Sequence, residues 1–176
     1  MEKLENWKLI IPLAVAIVSA ISAFIFTQLQ KWYDFRNRRR SVAIAILVEI
    51  TEADVSISSL HINWENLKVK LKNPDYKPML ILSSDTKILE RIKIEEYDFP
   101  NSVISSTTKF RNLINEVYEC INAINQDKFN LIDLASKVRI VDMILIISKQ
   151  VNEQAIIVKE SMRTTLPKRW FKNINF

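Results

Sequence analysis

Four carboxylates stand in two pairs at helical spacing, Glu49 with Glu52 and Glu116 with Glu119. Side chains three apart share a helix face. Carboxylates placed this way do acid–base work or, joined by histidine, hold paired metals. Neither pair has a histidine, and neither lies on the apolar seams traced below. The spacing therefore predicts solvated faces. His61, beside Leu60 and Trp64, admits a pH-sensing or ligand role; an ordinary half-buried histidine is the plainer expectation. Cys120 sits one residue from the seam position Ile121. No cation stands near it in sequence, and Glu119 disfavours its thiolate by like charge, so a packed, inert thiol is expected.

The chain has one cysteine and one histidine. That excludes an internal disulfide and any multi-cysteine or histidine-rich metal site. Glycine is absent altogether, which excludes phosphate-cradling glycine loops, the dinucleotide fingerprint and Asn-Gly hairpins. No catalytic, cofactor-binding or metal-binding residue is assigned. The chain is expected not to be an enzyme; a hydrolase with an unrecognised site is the alternative. The absence of glycine favours long helices joined by Asn, Asp, Pro and Ser turns.

The elements that position these residues begin with Leu9 to Leu29, a run of 21 residues without a charge. As a helix it rises about 30 Å, enough to span the hydrocarbon of a bilayer. A cleaved signal peptide, with Val18-Ser19-Ala20 as its small-residue site, competes with this reading. So does a buried core helix. The run is too long for the first and too free of charge for the second. On its C-terminal side stand Lys31, Arg36, Arg38, Arg39 and Arg40 against Asp34; on its N-terminal side stand Lys3 and Lys8 with Glu2 and Glu5. The richer side stays inside. The expected topology is a short external N-terminus over 1–8, a membrane helix over 9–30, a basic collar over 31–41, and the rest in the cytoplasm of a cell with a plasma (inner) membrane. Trp7, Trp32 and Tyr33 suit the two interfaces. Within the span, Ala16 with Ala20 and Ser19 with Ala23 have the small-xxx-small spacing that lets helices approach closely.

The net charge of +5 is unevenly spread. Residues 1–40 hold seven basic and three acidic residues, residues 41–162 hold 14 and 17, and residues 163–176 hold Arg163, Lys168, Arg169 and Lys172 with no acid. The basic charge thus flanks an acidic middle. This speaks against nucleic acid as a partner of the domain and for anionic lipid headgroups as partners of the collar.

Beyond the collar, Ile46, Ile50, Ala53, Ile57, Leu60, Trp64, Leu67 and Leu71 recur every three or four residues. Such a 3.5-residue seam marks helix packing. No proline interrupts the chain between Thr27 and Asn73-Pro74, so the membrane helix is expected to continue into this one. Residues 74–101 are less regular, with a helix expected over about 86–95 capped by Ser84 or Asp85, and Met79–Leu82 as helix, loop or short strand. A third helix runs from a cap at Asn101 or Ser102 to about Gln126, on a seam of Phe110, Ile114, Val117, Ile121 and Ile124. After a turn at Asp127–Asn130, a fourth runs from about Leu131 to Met162, on Ile140, Ile144, Ile147, Val151, Ala155, Val158 and Met162, with Val141 and Leu145 widening the stripe. The fold class is therefore all-α: a transmembrane helix continuing into an antiparallel helical bundle of about four helices over 42–162. A basic-aromatic tail over 163–176 is expected to lie on the membrane, dock on a partner or end in disorder.

This layout of anchor, arginine collar and bundle resembles that of many small bacterial single-pass proteins, some of which act as membrane effectors in anti-phage defence. The resemblance implies a non-enzymatic, membrane-anchored interaction or effector subunit that self-associates or binds a cytoplasmic protein. The alternative is a sensor module whose bundle binds a ligand.

Overall fold

A computed structural model of the chain describes residues 2–73, 75–80 and 92–171. Every regular element among them is helical. α1 spans Glu2–Lys70, α2 Asn101–Asn125, α3 Asp127–Leu131 and α4 Leu134–Thr165. Short 3₁₀ turns occupy Ile94–Tyr97 and Lys168–Trp170. The chain divides into two compact units, Met1–Ser41 and Val42–Phe176.

α1 is one helix of 69 residues, with a single proline, Pro12, inside it. Helix formers and aliphatic residues fill it, and no glycine weakens it. In the first unit, side chains are described from Pro12 onward, and from there to Phe35 all are exposed.

The second unit closes around one hydrophobic core. α1 contributes Ala43, Ile46, Ile50, Ala53, Ile57, Trp64 and Leu67, and Leu71 follows directly after its end, all buried. Leu60, the remaining seam position, and His61 have side chains outside the described residues. α2 buries the whole expected seam from Phe110 to Ile124. α2 and α4 run antiparallel: the connection through α3 is short, and Gln154 Nε2 donates to the Ser106 carbonyl at 3.0 Å. α4 also runs antiparallel to α1. Asp54 meets Lys159, Ser58 meets Asn152 and Lys68 meets Asp142, so contacts advance along α1 as they retreat along α4.

Several local expectations are corrected. α2 begins after Pro100, whose carbonyl accepts from Val103 and Ile104. Asn101 is therefore the first helical residue, and no side chain caps this end. The Asp127–Asn130 turn is the short helix α3. α4 starts at Leu134 because Asp133 caps it, accepting from the Ser136 N–H at 3.0 Å; a carboxylate there satisfies an amide that the first helical turn leaves unpaired. On α4 the buried line is Lys137, Val141, Ile144, Ser148, Val151, Ala155, Val158 and Met162. Ile140 and Ile147 are only half-buried. The expected line followed hydrophobicity and so passed over Ser148, which keeps the seven-residue step from Val141 to Ala155.

The helix expected over 86–95 falls mainly on residues outside the described ones. Its described end is not α-helical: Ile92 and Lys93 are irregular, and the 3₁₀ turn begins at Ile94. Asp98 closes that turn at φ 52°. Aspartate is one of the few residues other than glycine that tolerates the left-handed region, and a chain without glycine uses it here. Of the stretch Met79–Leu82, only Met79 and Leu80 are described, and Leu80 pairs with a side chain. Asn125 accepts from the Leu80 N–H and donates to its carbonyl, both at 2.8 Å. One amide thus fastens the incoming loop to the end of α2.

Candidate functional site

α1 carries a stretch long and apolar enough to cross a membrane, with a mean hydropathy of 1.9 and none of it buried. Ala16, Ser19, Ala20 and Ala23 fall within an arc of about 100° at 3.6 residues per turn, and all four are exposed. Two nearby hydroxyls are already bonded within their own helix: Ser22 Oγ donates to the Val18 carbonyl and Thr27 Oγ1 to that of Ala23, each at 2.8 Å. Ser22 is therefore committed locally, and of the two serines in the span Ser19 is the better placed to reach another helix.

Past the apolar stretch, Trp32 and Tyr33 are exposed. The Arg36 guanidinium lies 5.2 Å from the centre of the Trp32 ring. Stacking one turn apart holds the cation against an aromatic face. Lys31, Arg36, Arg38, Arg39 and Arg40 all lie on α1. At 100° per residue they spread over an arc of about 200°.

The second unit holds the polar groups that sequence reasoning misplaced. Glu49, expected on a solvated face, is buried at 3% exposure, whereas Glu52, Glu116 and Glu119 are exposed. Glu49 flanks the seam residues Ile46 and Ile50, and that neighbourhood was its one available signal. Ser106, Thr107, Lys137, Ser148 and Gln154 are buried too. Lys137 Nζ donates to the Asn130 carbonyl at 3.1 Å and lies 5.9 Å from the Phe129 ring centre. Asp133, four residues before it, serves as the α4 cap. The Ser136 hydroxyl and N–H bonded to Asp133 hold its carboxyl below the usual aspartate range. Lys149 and Glu153, four apart on α4, are both exposed.

Cys120 is half-buried, and desolvation, then Glu116 and Glu119, push its thiol pKa up. An inert, protonated thiol follows. Ile46, Ile92, Ile94, Thr107, Thr108 and Arg111 line a cavity of about 10 Å³, room for roughly one water molecule. Among the described residues, no group of three or more His, Cys, Asp or Glu side chains could hold a metal ion.

Trp170 and Phe171, the aromatic residues of the tail among the described residues, do not project. Leu166, Trp170 and Phe171 are buried in the core of the second unit, while Pro167, Lys168 and Arg169 are exposed. Compared with known protein families, with curated proteins and with solved structures, the chain finds no match.

Proposed function

We propose that the chain is a membrane-anchored helical interaction or effector subunit without enzymatic activity. In this reading residues 9–30 span the plasma (inner) membrane with the N-terminus outside. The collar of Lys31, Arg36, Arg38, Arg39 and Arg40 sits among anionic headgroups, and the helices of residues 42–162 form a cytoplasmic bundle. The protein self-associates, or binds a cytoplasmic protein, and passes that event to the bilayer. A role in anti-phage defence fits the layout. One observation carries the reading. The apolar part of α1 has its side chains exposed on every side, a surface that water disfavours and lipid accepts. The face of Ala16, Ser19, Ala20 and Ala23 supports association between spans, since small residues let backbones approach.

The test uses the full chain in native membranes. It should resist alkaline carbonate extraction and migrate as an oligomer in mild detergent. Ala16→Leu with Ala20→Leu should keep the protein in the membrane and reduce the oligomer. Ile17→Leu with Ile21→Leu should change neither. Extraction by carbonate would remove the anchor. Equal oligomer size in both double variants would leave the span as a tether only.

A further inference from the structure

The antiparallel register of α1 and α4 has an end point. Asp54–Lys159, Ser58–Asn152 and Lys68–Asp142 keep nearly one residue of α4 to one of α1. Both helices rise about 1.5 Å per residue, so the same register brings Leu166 level with the turn Ala43–Leu47, where α1 enters the second unit. The chain does not leave there. The Leu166 N–H bonds to the Met162 carbonyl at 3.0 Å, Trp170 to Pro167 at 2.8 Å and Phe171 to Lys168 at 3.1 Å. Trp170 and Phe171 are 6% and 7% exposed. These two buried rings pin a tight turn and hold Lys168 and Arg169 outward. Arg163, exposed one turn earlier, adds a third cation. The acids at this end are Glu160 on α4, Glu49 on α1, buried and level with Arg163 in the same register, and Glu95, Glu96 and Asp98 on and directly after the turn whose Ile94 lines the cavity with Ile46; Glu96 is paired with Lys93. Val42, the first residue of the unit, is separated from Arg38, Arg39 and Arg40 by Ser41 alone.

We infer that Arg163, Lys168 and Arg169 form a basic cap on the end of the second unit where α1 enters, and that this cap takes anionic lipid headgroups as a second membrane contact, in addition to the collar. The inference rests on the anchored reading. A span ending at the collar places this end of the unit closest along the chain to the headgroups. The remainder of the domain is net acidic, so an anionic leaflet attracts these three exposed cations and repels the carboxylates around them. The cap works by charge alone, because its aromatic residues are spent on the core and cannot wedge between lipids. A pinned turn also offers its cations without first ordering a loose tail.

The test uses the full chain with Cys120→Ser and Thr164→Cys, a donor dye on the new thiol, and an acceptor on the lipid headgroups of nanodiscs. Discs of phosphatidylcholine alone are compared with discs that also contain phosphatidylglycerol. Energy transfer should be higher in the anionic discs. It should return to the zwitterionic level in high salt, and also when Arg163→Gln, Lys168→Gln and Arg169→Gln are combined. These positions are exposed, so the variant keeps its fold, checked by an unchanged melting curve. Insertion into discs with equal transfer in both lipids overturns the cap and leaves the anchor standing. Failure to insert at all overturns both. Equal transfer combined with an oligomer that the triple variant dissociates would give the cap to a second copy of the chain instead.

Discussion

One helix carries two opposite uses of the same residue types. Phe24 and Phe26 in the first unit are 65% and 69% exposed; Ile46, Ile50 and Ile57, further along α1, are 0% exposed. The difference is visible in spacing. From Leu13 to Leu29 apolar side chains point in every direction, which suits a solvent that is apolar all round. From Ala43 to Leu71 they return every three or four residues, with Glu52, Lys68 and Lys70 between them, which suits a partner on one side only. Amount of hydrophobicity thus separates the regions less well than its angular distribution.

The sharpest way to break this comparison is to truncate one phenylalanine in each unit. Phe110 is fully buried, and Phe110→Ala should cost about 3–5 kcal/mol of unfolding free energy through lost transfer energy and the cavity left behind. Urea titration followed by near-ultraviolet circular dichroism, in detergent, measures it. Phe24→Ala should leave that titration unchanged. An equal loss in both variants would mean that the exposed segment of α1 is part of the same cooperative core.

A charge placed in each region asks the converse. Ile17→Asp should disfavour insertion by about 2.5–3.5 kcal/mol, the cost of an acid at the centre of a span. Carbonate should then extract a larger share of the protein, while the melting temperature of the second unit stays where it was. Unchanged extraction would show that residues 9–30 do not lie in hydrocarbon.

How far these regions were legible follows the same physics. The α1 and α2 seams could be read because aliphatic residues occupy nearly every position of a 3.5-residue repeat. α4 was harder. Ile144, Leu145, Ile146 and Ile147 are consecutive, so hydrophobicity alone leaves the phase open. The core chose the phase that buries Ser148 and leaves Ile146 60% exposed. Glu49 was misplaced for the same reason, since a carboxylate beside a seam reads as solvent-facing. The tail was misread because no local pattern reveals that Trp170 and Phe171 fold back onto a core built from residues far away in sequence. Ala16, Ser19, Ala20 and Ala23 were legible as spacing; their use depends on a second helix that one chain does not contain.

Buried polar residues sharpen the comparison from inside the core. Gln154 is bonded and Ser148 is not: Gln154 Nε2 donates to the Ser106 carbonyl, whereas Ser148 Oγ is buried without a hydrogen-bond partner. Gln154→Ala should therefore cost about 0.5–1.5 kcal/mol, the net worth of the hydrogen bond it removes. Ser148→Ala should be neutral or slightly stabilising, since it removes a hydroxyl that gained nothing in return for its lost water. The same urea titration decides. A Ser148→Ala loss as large as that of Gln154→Ala would show that the hydroxyl has a partner in solution.

The smallest expected effect is at Cys120, on the margin between core and water. Desolvation is the first cause of its raised pKa, and the carboxylates of Glu116 and Glu119 on the same helix add to it. In the folded protein the thiol should react with a maleimide more slowly than it does after unfolding in urea at the same pH. Neutralising the carboxylates, with Glu116→Gln and Glu119→Gln together, should recover only part of the difference, because burial remains. The linkage has a definite sign. The folded state holds the proton to higher pH than the unfolded state does, so the thiol's contribution to stability is complete below the unfolded thiol pKa. It is lost as pH rises through the raised folded value. Wild type should therefore lose stability in that alkaline range slightly faster than Cys120→Ser does. If folding left the reaction rate unchanged, the thiol would face water. The line between core and solvent on α2 would then run inside Ile121 rather than through Cys120.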